Sequence, residues 1–283
     1  MRILISGASG YIGGYLAQYF AKTGAQVATL GRKTGATIPF ILGEPVRSQS
    51  LSDFQVLIHC AYDFHPKSLE DSLAVNAQGT KMLFDSAAAA DVSTLISLSS
   101  LSAFPGARSV YGKTKLRCEE LISPLGAISV RPGTVYGGPG GGIGAAVEGL
   151  ARKLPLVPIV GGKSVRLFFT HVDDLAQCLR RIIENPAPYR GRAIVAAHPN
   201  VHSLDEFVRA RVAASGSKKA PYCLPVPGGL TYLGLRALEL LGLPAPLRSD
   251  SVTGLRFRAD ESSVRIPEEL RPLFRDLFAT PND

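Results

Sequence analysis

Short apolar runs alternate with longer amphipathic stretches through the first half of the chain. The short runs, rich in Val, Ile and Leu, predict five strands: Arg2–Ile5, Val27–Leu30, Val56–His59, Thr94–Leu98 and Ile128–Arg131. Between them, apolar positions three and four residues apart predict three helices: Tyr11–Thr23, Ser72–Ala90 and Tyr111–Ile122. Strands that alternate with helices in this way are typical of βαβ units. The pattern therefore predicts an α/β fold with a Rossmann-like, doubly wound parallel sheet.

The second half of the chain is less regular, and it predicts a small C-terminal lobe. The glycine-rich run from Gly137 to Gly142 predicts a loop, which a helix and the apolar run Leu154–Val160 follow. Four further helices are predicted: Val172–Glu184, Ser203–Ala214, Gly229–Leu241 and Pro267–Phe278. We expect a Rossmann-like domain of residues 1–136 and a lobe of residues 137–283, from which residues 165–198 or so return to the first domain.

Composition narrows the function classes. The 283 residues carry a net charge of +8, but the basic residues are scattered pairs without interleaved aromatic residues, which argues against nucleic acid and membrane partners and favours small anionic ligands. The four cysteines form no CxxC pair, so no disulfide framework is indicated. The short apolar N-terminus is not a signal sequence, and no apolar run is long enough to span a membrane. We expect a cytoplasmic protein.

A glycine motif follows the first predicted strand directly and opens the first predicted helix. The run Gly7-Ala8-Ser9-Gly10-Tyr11-Ile12-Gly13 matches GxxGxxG in the context where that pattern has a mechanism. The glycines allow a tight turn, close approach of the backbone to a pyrophosphate, and close packing of helix on strand. The helix N-terminus adds positive potential. The motif predicts a dinucleotide site.

The end of the second predicted strand bears on which dinucleotide binds. An Asp or Glu there binds the ribose 2′-hydroxyl of NAD, whereas an Arg accommodates the 2′-phosphate of NADP. This chain has no carboxylate at that point and instead carries Arg32 and Lys33. The sequence therefore favours NADP(H) over NAD(H).

A phenol and an ammonium stand four residues apart in Tyr111-Gly112-Lys113-Thr114-Lys115. On a helix this spacing places Tyr111 and Lys115 on one face. A nearby ammonium favours the phenolate and lowers the pKa of a tyrosine, which can then exchange a proton with a substrate oxygen. Upstream, the predicted strand Thr94–Leu98 ends in Ser99-Ser100-Leu101-Ser102, at the sheet edge where parallel sheets bind ligands.

Together, these residues resemble the extended branch of the short-chain dehydrogenase/reductase superfamily, the NAD(P)-dependent epimerase/dehydratase group. Further ordered blocks carry the resemblance: Asp53–Ala61, Val75–Thr80, Arg131–Gly137 and Phe169–Ala176. The resemblance implies that Tyr111 is the catalytic acid/base and that Ser100 polarises the reacting oxygen. It also implies that Lys115 lowers the pKa of Tyr111 and contacts the nicotinamide ribose of the cofactor. It also places Ser102 near the substrate. The backbone of His59, Cys60 and Ala61 and the side chain of Asn76 would line the cofactor. The nicotinamide would lie near residues Pro132 to Val135.

Departures from the family pattern guide the choice of reaction. Dehydratases of this group carry an Asp-Glu pair after the catalytic Ser or Thr, which Leu101–Phe104 lacks. Epimerases of the group usually hold NAD through an acidic ribose partner, also lacking here. The favoured reading is an NADP(H)-dependent reductase of a carbonyl, with the keto group of a nucleotide-linked sugar as the first choice. The alternatives are an NAD-dependent nucleotide-sugar epimerase, a reductase of a hydrophobic steroid- or flavonoid-like ketone, and a non-catalytic NADP(H) sensor.

Substrate and partner contacts are less strongly indicated. Arg166 resembles an arginine that holds the diphosphate in sugar-nucleotide members of the family, just ahead of a block like Val172-Asp173-Asp174. In this chain the distance from Arg166 to that block is one residue longer than in those members, so a bulge in the strand would be needed for the side chain to face the same way. Arg248, Arg256 and Arg258 are further candidate anion contacts. We expect the pair Asp173 and Asp174 to cap the helix that begins there. A metal site is not expected, because Pro199 disfavours a helical pair of His198 and His202. Relatives dimerise through helices corresponding to Ser72–Ala90 and Tyr111–Ile122, so a homodimer is expected.

Overall fold

A seven-stranded parallel sheet forms the centre of the chain in the computed structural model, which describes residues 1–32, 35–139, 149, 156–161, 165–214, 222–243 and 248–278. The strands follow the order β3-β2-β1-β4-β5-β6-β10. They are β1 (Arg2–Ser6), β2 (Gln26–Gly31), β3 (Ile38–Pro39), β4 (Val56–His59), β5 (Thr94–Leu98), β6 (Ile128–Pro132) and β10 (Ala193–Ala196). The α/β fold with a Rossmann-like doubly wound sheet is confirmed.

Helices cover both faces of this sheet. They are α1 (Tyr11–Lys22), α2 (Leu69–Ser72), α3 (Gly79–Ala89), α4 (Val110–Ile122) and α5 (Val172–Glu184), with a π-helical stretch, Leu73–Gln78, between α2 and α3. Successive side chains of a strand point to opposite faces, so neighbours in β1 enter different cores. Ile3 and Ile5 pack in a cluster with α1 and α5, whereas Leu4 packs with Leu83 and Phe84 of α3.

The remaining strands form two small sheets. One consists of β7 (Thr134–Tyr136), β9 (Arg166–His171) and β11 (Val201–Ser203), and the other of β8 (Leu156–Val160) and β12 (Tyr222–Val226). The helices associated with them are α6 (Leu204–Ala214), α7 (Gly228–Leu240) and α8 (Ser249–Arg256). Buried Phe207 stacks on Phe169 with the ring centroids 4.6 Å apart, which ties α6 to β9. The domain boundary at residue 136 stays a prediction.

Most predicted elements are found within three residues of their predicted bounds, and the departures have physical causes. The two-residue strand β3 was not among the five predicted strands, because the sequence marks it poorly. The predicted helix Pro267–Phe278 is wrong: the segment holds a 3₁₀ helix, Glu268–Leu273, because Pro272 has no N–H to continue an α-helix. Helix α8 was not predicted. The helix expected after the Gly137–Gly142 loop falls largely outside the described residues.

Candidate active site and cofactor site

The glycine motif forms the turn between β1 and α1. Gly7 adopts a positive φ of +70°, and a Cβ at this position would lie 2.7 Å from the backbone nitrogen of Ala61. A Cβ at Gly13 would lie 2.4 Å from the carbonyl oxygen of Gly7. Only glycine fits at these two positions, because the clashing atoms belong to backbone that cannot move aside. The turn therefore brings the start of α1 close to the end of β4.

The N-terminus of α1 has the properties of an anion site. Its N-cap residue is Gly10, which has no side chain to cap the helix, and the first turn contains no acidic residue. By contrast, Ser109 caps α4 and Ser68 caps α2 through their hydroxyls. Free N–H groups and the helix dipole at such an end favour a phosphate, so this turn fits the pyrophosphate of a nicotinamide dinucleotide. Ser9 is exposed in the same turn.

The end of β2 presents a cation, as the sequence predicted. Gly31 ends the strand, and the exposed side chain of Arg32 follows it. The pKa of Asp63, in the loop after β4, is lowered mainly by a hydrogen bond from the backbone of His65 and to a smaller extent by the positive charge of Arg32. Arg32 therefore lies near this loop. Lys33, the second predicted cation, lies outside the described residues.

The end of β4 is fixed by buried polar contacts. His59 is 1% exposed and its ring bonds Ser6 Oγ at 2.7 Å and Thr80 Oγ1 at 3.1 Å. Burial, with the nearby ammonium of Lys115, lowers the pKa of His59 to about 3, so the imidazole is neutral. Ser6 Oγ also accepts the backbone N–H groups of Cys60 and Ala61, at 3.2 and 3.3 Å. The strand end is rigid where the cofactor is expected.

Asn76, expected to line the cofactor, is buried within the π-helical stretch. Its Oδ1 accepts the N–H of Asp63 at 2.7 Å, and its Nδ2 donates to the carbonyl of Asp63 at 2.9 Å. A π-helical insertion often marks a functional site. The described contacts give Asn76 the task of holding the loop that follows β4.

The predicted catalytic residues come together. Tyr111 stands in the first turn of α4, and its phenol lies near the hydroxyl of Ser100, which lies just beyond β5. The Oγ of Ser100 also accepts the N–H of Ser102 at 3.1 Å. Since Ser100 accepts from the backbone, its own hydroxyl hydrogen can be donated to the phenol or to a substrate oxygen.

Burial decides the direction in which the pKa of Tyr111 is shifted. Burial raises the pKa of Tyr111 to about 12, although the nearby hydroxyl of Ser100 opposes this shift. Lys115 is 6% exposed, its Nζ donates to the carbonyl of Leu98 at 2.7 Å, and Nζ lies 6.0 Å from the Tyr111 ring centroid. That Lys115 lowers the pKa of Tyr111 stays a prediction.

Two aromatic side chains that the sequence did not single out cover Tyr111. The ring of Phe64 stacks on it with the centroids 5.8 Å apart, and Tyr62 meets it edge-on at 5.0 Å. Tyr62 also lies 5.1 Å from Nζ of Lys115. Both residues follow β4 closely in the chain. Their nearness in sequence to the predicted cofactor block His59–Ala61 was the one feature that could have pointed to them.

A short segment of the C-terminal lobe contacts the same region. The carboxylate of Asp250, in the first turn of α8, accepts the backbone N–H of Val110 at 2.7 Å and that of Tyr111 at 3.0 Å. Two residues earlier, the Arg248 guanidinium donates to the carbonyls of Phe64 and Pro66. No sequence pattern predicts these pairings, because they join positions more than 130 residues apart.

A cavity of about 800 Å³ opens beside Tyr111 and Ser100. Five residues that the sequence predicted for the cofactor or the substrate line it: Tyr11, Ile12, Ser102, Pro132 and Val135. Much of the remaining wall is apolar: Val157, Ile159, Leu167, Leu204, Val208 and Leu255. Four cationic side chains also reach the wall: Lys67, Arg166, Arg248 and Arg258.

Arg166, the predicted diphosphate contact, lines this cavity from the first position of β9. Its guanidinium donates to the carbonyl of Val201 at 2.7 Å, and the residue pairs with Ser203 of β11. The side chain is exposed. The arginine thus reaches the cavity wall despite its long spacing from the Val-Asp-Asp block.

The expected capping role of Asp173 and Asp174 is wrong. The imidazole of His171 caps α5 by accepting the N–H of Asp173 at 3.2 Å. Asp174 is 2% exposed and binds the guanidinium of Arg275, with Arg275 Nη2 2.7 Å from Oδ1. An imidazole can cap a helix because the lone pair of its Nδ1 accepts a hydrogen bond. Asp174 does not cap the helix, because its carboxylate binds Arg275 of the C-terminal segment.

Two absences concern only the part of the chain that the structure describes. Within it, no group of three or more His, Cys, Asp or Glu side chains is arranged to hold a metal ion. Nor does it contain a helix long and apolar enough to cross a bilayer.

The match to a family model decides the classification of this fold and site. The model of the NAD dependent epimerase/dehydratase family matches residues 3–197. The chain belongs to the NAD dependent epimerase/dehydratase family. It is therefore an NAD(P)-dependent enzyme of the extended short-chain dehydrogenase/reductase type, and the uncapped glycine turn at α1 fits its nicotinamide dinucleotide. No protein with a curated description matches the chain.

Solved structures share the fold at low sequence identity. An NAD dependent NDP-hexosamine 5,6-dehydratase involved in tunicamycin biosynthesis has a TM-score of 0.68 at 18% identity, covering 93% of this chain and 100% of its own. A dTDP-4-dehydrorhamnose reductase from Bacillus anthracis, in complex with NADP, has a TM-score of 0.67 at 18% identity over 90% and 98% of the two chains. A UDP-N-acetylglucosamine 4-epimerase from Bacillus cereus scores 0.68 at 16% identity over 90% and 97%.

Proposed function

We propose that the chain reduces the keto group of a nucleotide-linked sugar with NADPH. The observation that carries the proposal is that Tyr111 and Ser100 line one wall of a cavity that residues of the glycine turn also line. The structural neighbours include a dTDP-4-dehydrorhamnose reductase in complex with NADP and enzymes named for nucleotide sugars, which supports this substrate class. Arg166 and Arg258 offer positive charge to a diphosphate.

NADPH, when bound, supplies the hydride. The task of the protein is then to orient the carbonyl and to deliver a proton to its oxygen. Tyr111 is protonated in the neutral range, since its pKa is raised to about 12, so its phenol can donate that proton. Ser100 can donate a hydrogen bond to the same oxygen, which polarises the carbonyl. Lys115, held on the Leu98 carbonyl, stands near the phenolate that the transfer leaves behind.

Two features support reduction over the other reactions of the family. Leu101 to Phe104 contain no carboxylate to eliminate water, and the carboxylate of Asp250, although it lines the cavity, is engaged by two backbone N–H groups. Arg32 at the end of β2 suits the 2′-phosphate of NADPH, a cofactor that dissociates after net reduction. An NAD-dependent epimerase would need the acidic ribose partner that this position lacks.

A second candidate substrate is a hydrophobic ketone. The apolar wall formed by Val157, Ile159, Val208 and neighbouring side chains favours it. The same Tyr111 and Ser100 would serve either substrate. A panel that includes a dTDP-4-keto-6-deoxyhexose and a steroid ketone separates the two by relative kcat/KM.

Substitution of Tyr111 tests the proposal. Tyr111→Phe removes the acidic proton and keeps the ring that stacks on Phe64. We expect NADPH-dependent reduction of the dTDP-4-keto sugar, followed at 340 nm, to fall roughly 10²- to 10⁴-fold, with NADPH affinity within about twofold. Undiminished turnover in this variant would refute the role of Tyr111. If the wild type binds NADPH but reduces no carbonyl, the chain is a sensor rather than an enzyme of this kind.

The assembly and compartment belong to the same proposal. Half-buried Leu73, in the π-helical stretch, and half-buried Leu116 and Leu121 of α4 support a homodimer through these helices. All four cysteines are free thiols, which suits the reducing cytoplasm.

A further inference from the structure

The helix that carries Tyr111 begins with an unusual double cap. Helix N-termini leave their first N–H groups without intrahelical partners. In α4, Ser109 Oγ accepts the N–H of Gly112 at 3.0 Å, as an ordinary N-cap does. The two preceding N–H groups, of Val110 and Tyr111 itself, both bind the carboxylate of Asp250. A residue about 140 positions away thus completes the cap at the proposed catalytic residue.

Asp250 is held in place independently of α4. Its neighbour Ser249, 6% exposed, binds Glu239 of α7 twice: Ser249 N–H donates to Oε1 and its hydroxyl to Oε2, each at 2.8 Å. Packing adds to these bonds, because a Cβ at Gly254 of α8 would lie 3.7 Å from Ser109 Oγ. The start of α8 is therefore anchored to α7 on one side and packed against the start of α4 on the other.

The same segment also holds the aromatic cover of Tyr111. Arg248 donates to the backbone carbonyls of Phe64 and Pro66, and Phe64 stacks on the Tyr111 ring. One guanidinium and one carboxylate, two residues apart, thus bind the backbone on both sides of the phenol.

We propose that Asp250 is a positioning residue for Tyr111: its carboxylate holds the first turn of α4 where the phenol meets Ser100. The proposal rests on the proposed role of Tyr111. Proton transfer depends on alignment, and a displacement of about 1 Å can cost on the order of 100-fold in rate. An amide at position 250 accepts at one oxygen only and turns an N–H₂ group toward a backbone N–H, so Asp250→Asn should release the turn.

The test compares four proteins with NADPH and a dTDP-4-keto-6-deoxyhexose: wild type, Asp250→Asn, Tyr111→Phe and a control, Asp260→Asn. Asp260 is also a capping carboxylate of this lobe, accepting the N–H of Ser262 at 2.8 Å. In Asp250→Asn we expect kcat to fall about 10-fold or more, with the KM of the sugar and the Kd of NADPH within about threefold. The solvent deuterium isotope effect on kcat should rise, because a misplaced phenol makes proton transfer limiting. Asp260→Asn should match the wild type.

A wild-type kcat and isotope effect in Asp250→Asn would overturn the proposal, as would an equal loss in Asp260→Asn. If Asp250→Asn does not fold, Asp250→Glu carries the test. It keeps the carboxylate one methylene farther out, and we expect an intermediate kcat with a raised isotope effect. Wild-type values for both in Asp250→Glu would overturn the proposal.

Amide hydrogen exchange separates this proposal from the proposed function. Exchange at residues 110–111 should quicken about 10-fold or more in Asp250→Asn and stay unchanged in Asp260→Asn, whether or not the sugar is a substrate. Unchanged exchange would refute the Asp250 cap itself. Full activity of Tyr111→Phe would refute the role of Tyr111, and with it the catalytic meaning of Asp250.

Discussion

At the scale of single residues, the chain combines a half-buried acid, Tyr111, with an exposed cation, Arg32, at the two ends where the cofactor is expected. Burial raises the pKa of Tyr111 to about 12, and Ser100 lines the same cavity wall. Arg32, by contrast, is exposed at the end of β2, where it is placed to bind a phosphate group of the cofactor. These two positions make separable contributions, one to chemistry and one to the choice of nucleotide.

Arg32→Ala should therefore alter nucleotide preference without altering chemistry. A charge-assisted hydrogen bond is worth about 1.5–3 kcal/mol, so we expect NADPH affinity to fall roughly 10- to 100-fold while NADH affinity changes little. Fluorescence titration with each nucleotide measures both. Arg117→Ala is the matched control, since Arg117 is exposed on α4 and pairs with Glu120. Equal losses for NADPH and NADH in Arg32→Ala would contradict the preference for NADP(H).

At the scale of elements, the sequence predicted helices and strands correctly wherever interactions between residues close in the chain determine the structure. Strand β4 matches its predicted bounds, and α1 and α4 match within one residue, because apolar periodicity and glycine placement are local signals. Asp250, Phe64 and Arg248 could not be predicted. Their roles come from contacts between α8 and a loop far away in sequence, and periodicity carries no information about such pairings.

The turn between β1 and α1 gives an element-scale prediction. Gly13→Ala places a Cβ 2.4 Å from the carbonyl oxygen of Gly7, so we expect a loss of about 2 kcal/mol or more in unfolding free energy and no NADPH binding. The control is Gly234→Ala in α7, where a Cβ meets nothing within 4 Å. It should gain about 0.5–1 kcal/mol, the helix preference of Ala over Gly. Denaturant unfolding and NADPH titration measure both. A Gly13→Ala protein that binds NADPH normally would contradict the assignment of the turn.

At the scale of the whole molecule, the site is built from both halves of the chain. The parallel sheet supplies the glycine turn, Ser100 and Tyr111, whereas β8, β9 and α8 supply the opposite wall of the cavity. Strand β10 pairs with β6, so the chain returns to the central sheet after β9. The family model matches residues 3–197, which include all seven strands of the central sheet apart from Arg2, the first residue of β1.

The proposed dimer is a prediction at this scale. Sedimentation velocity should give a species of twice the 30.0 kDa chain mass. Leu116→Glu places a charge on the half-buried edge of α4 and should yield monomers. Leu230→Glu, at an exposed leucine of α7, should leave the dimer intact. A monomeric wild type, or a Leu116→Glu protein that stays dimeric, would contradict pairing through these helices.

Net hydride transfer from NADPH to the sugar tests the central claim most directly. The measurement follows NADPH in which both C4 hydrogens of the nicotinamide are deuterium, incubated with a dTDP-4-keto-6-deoxyhexose, by mass spectrometry and absorbance at 340 nm. We predict one NADP⁺ for each product molecule, with deuterium on the former carbonyl carbon, and no such product from Tyr111→Phe. An isomerised sugar without net oxidation of NADPH, or the same turnover with NADH alone, would contradict the account.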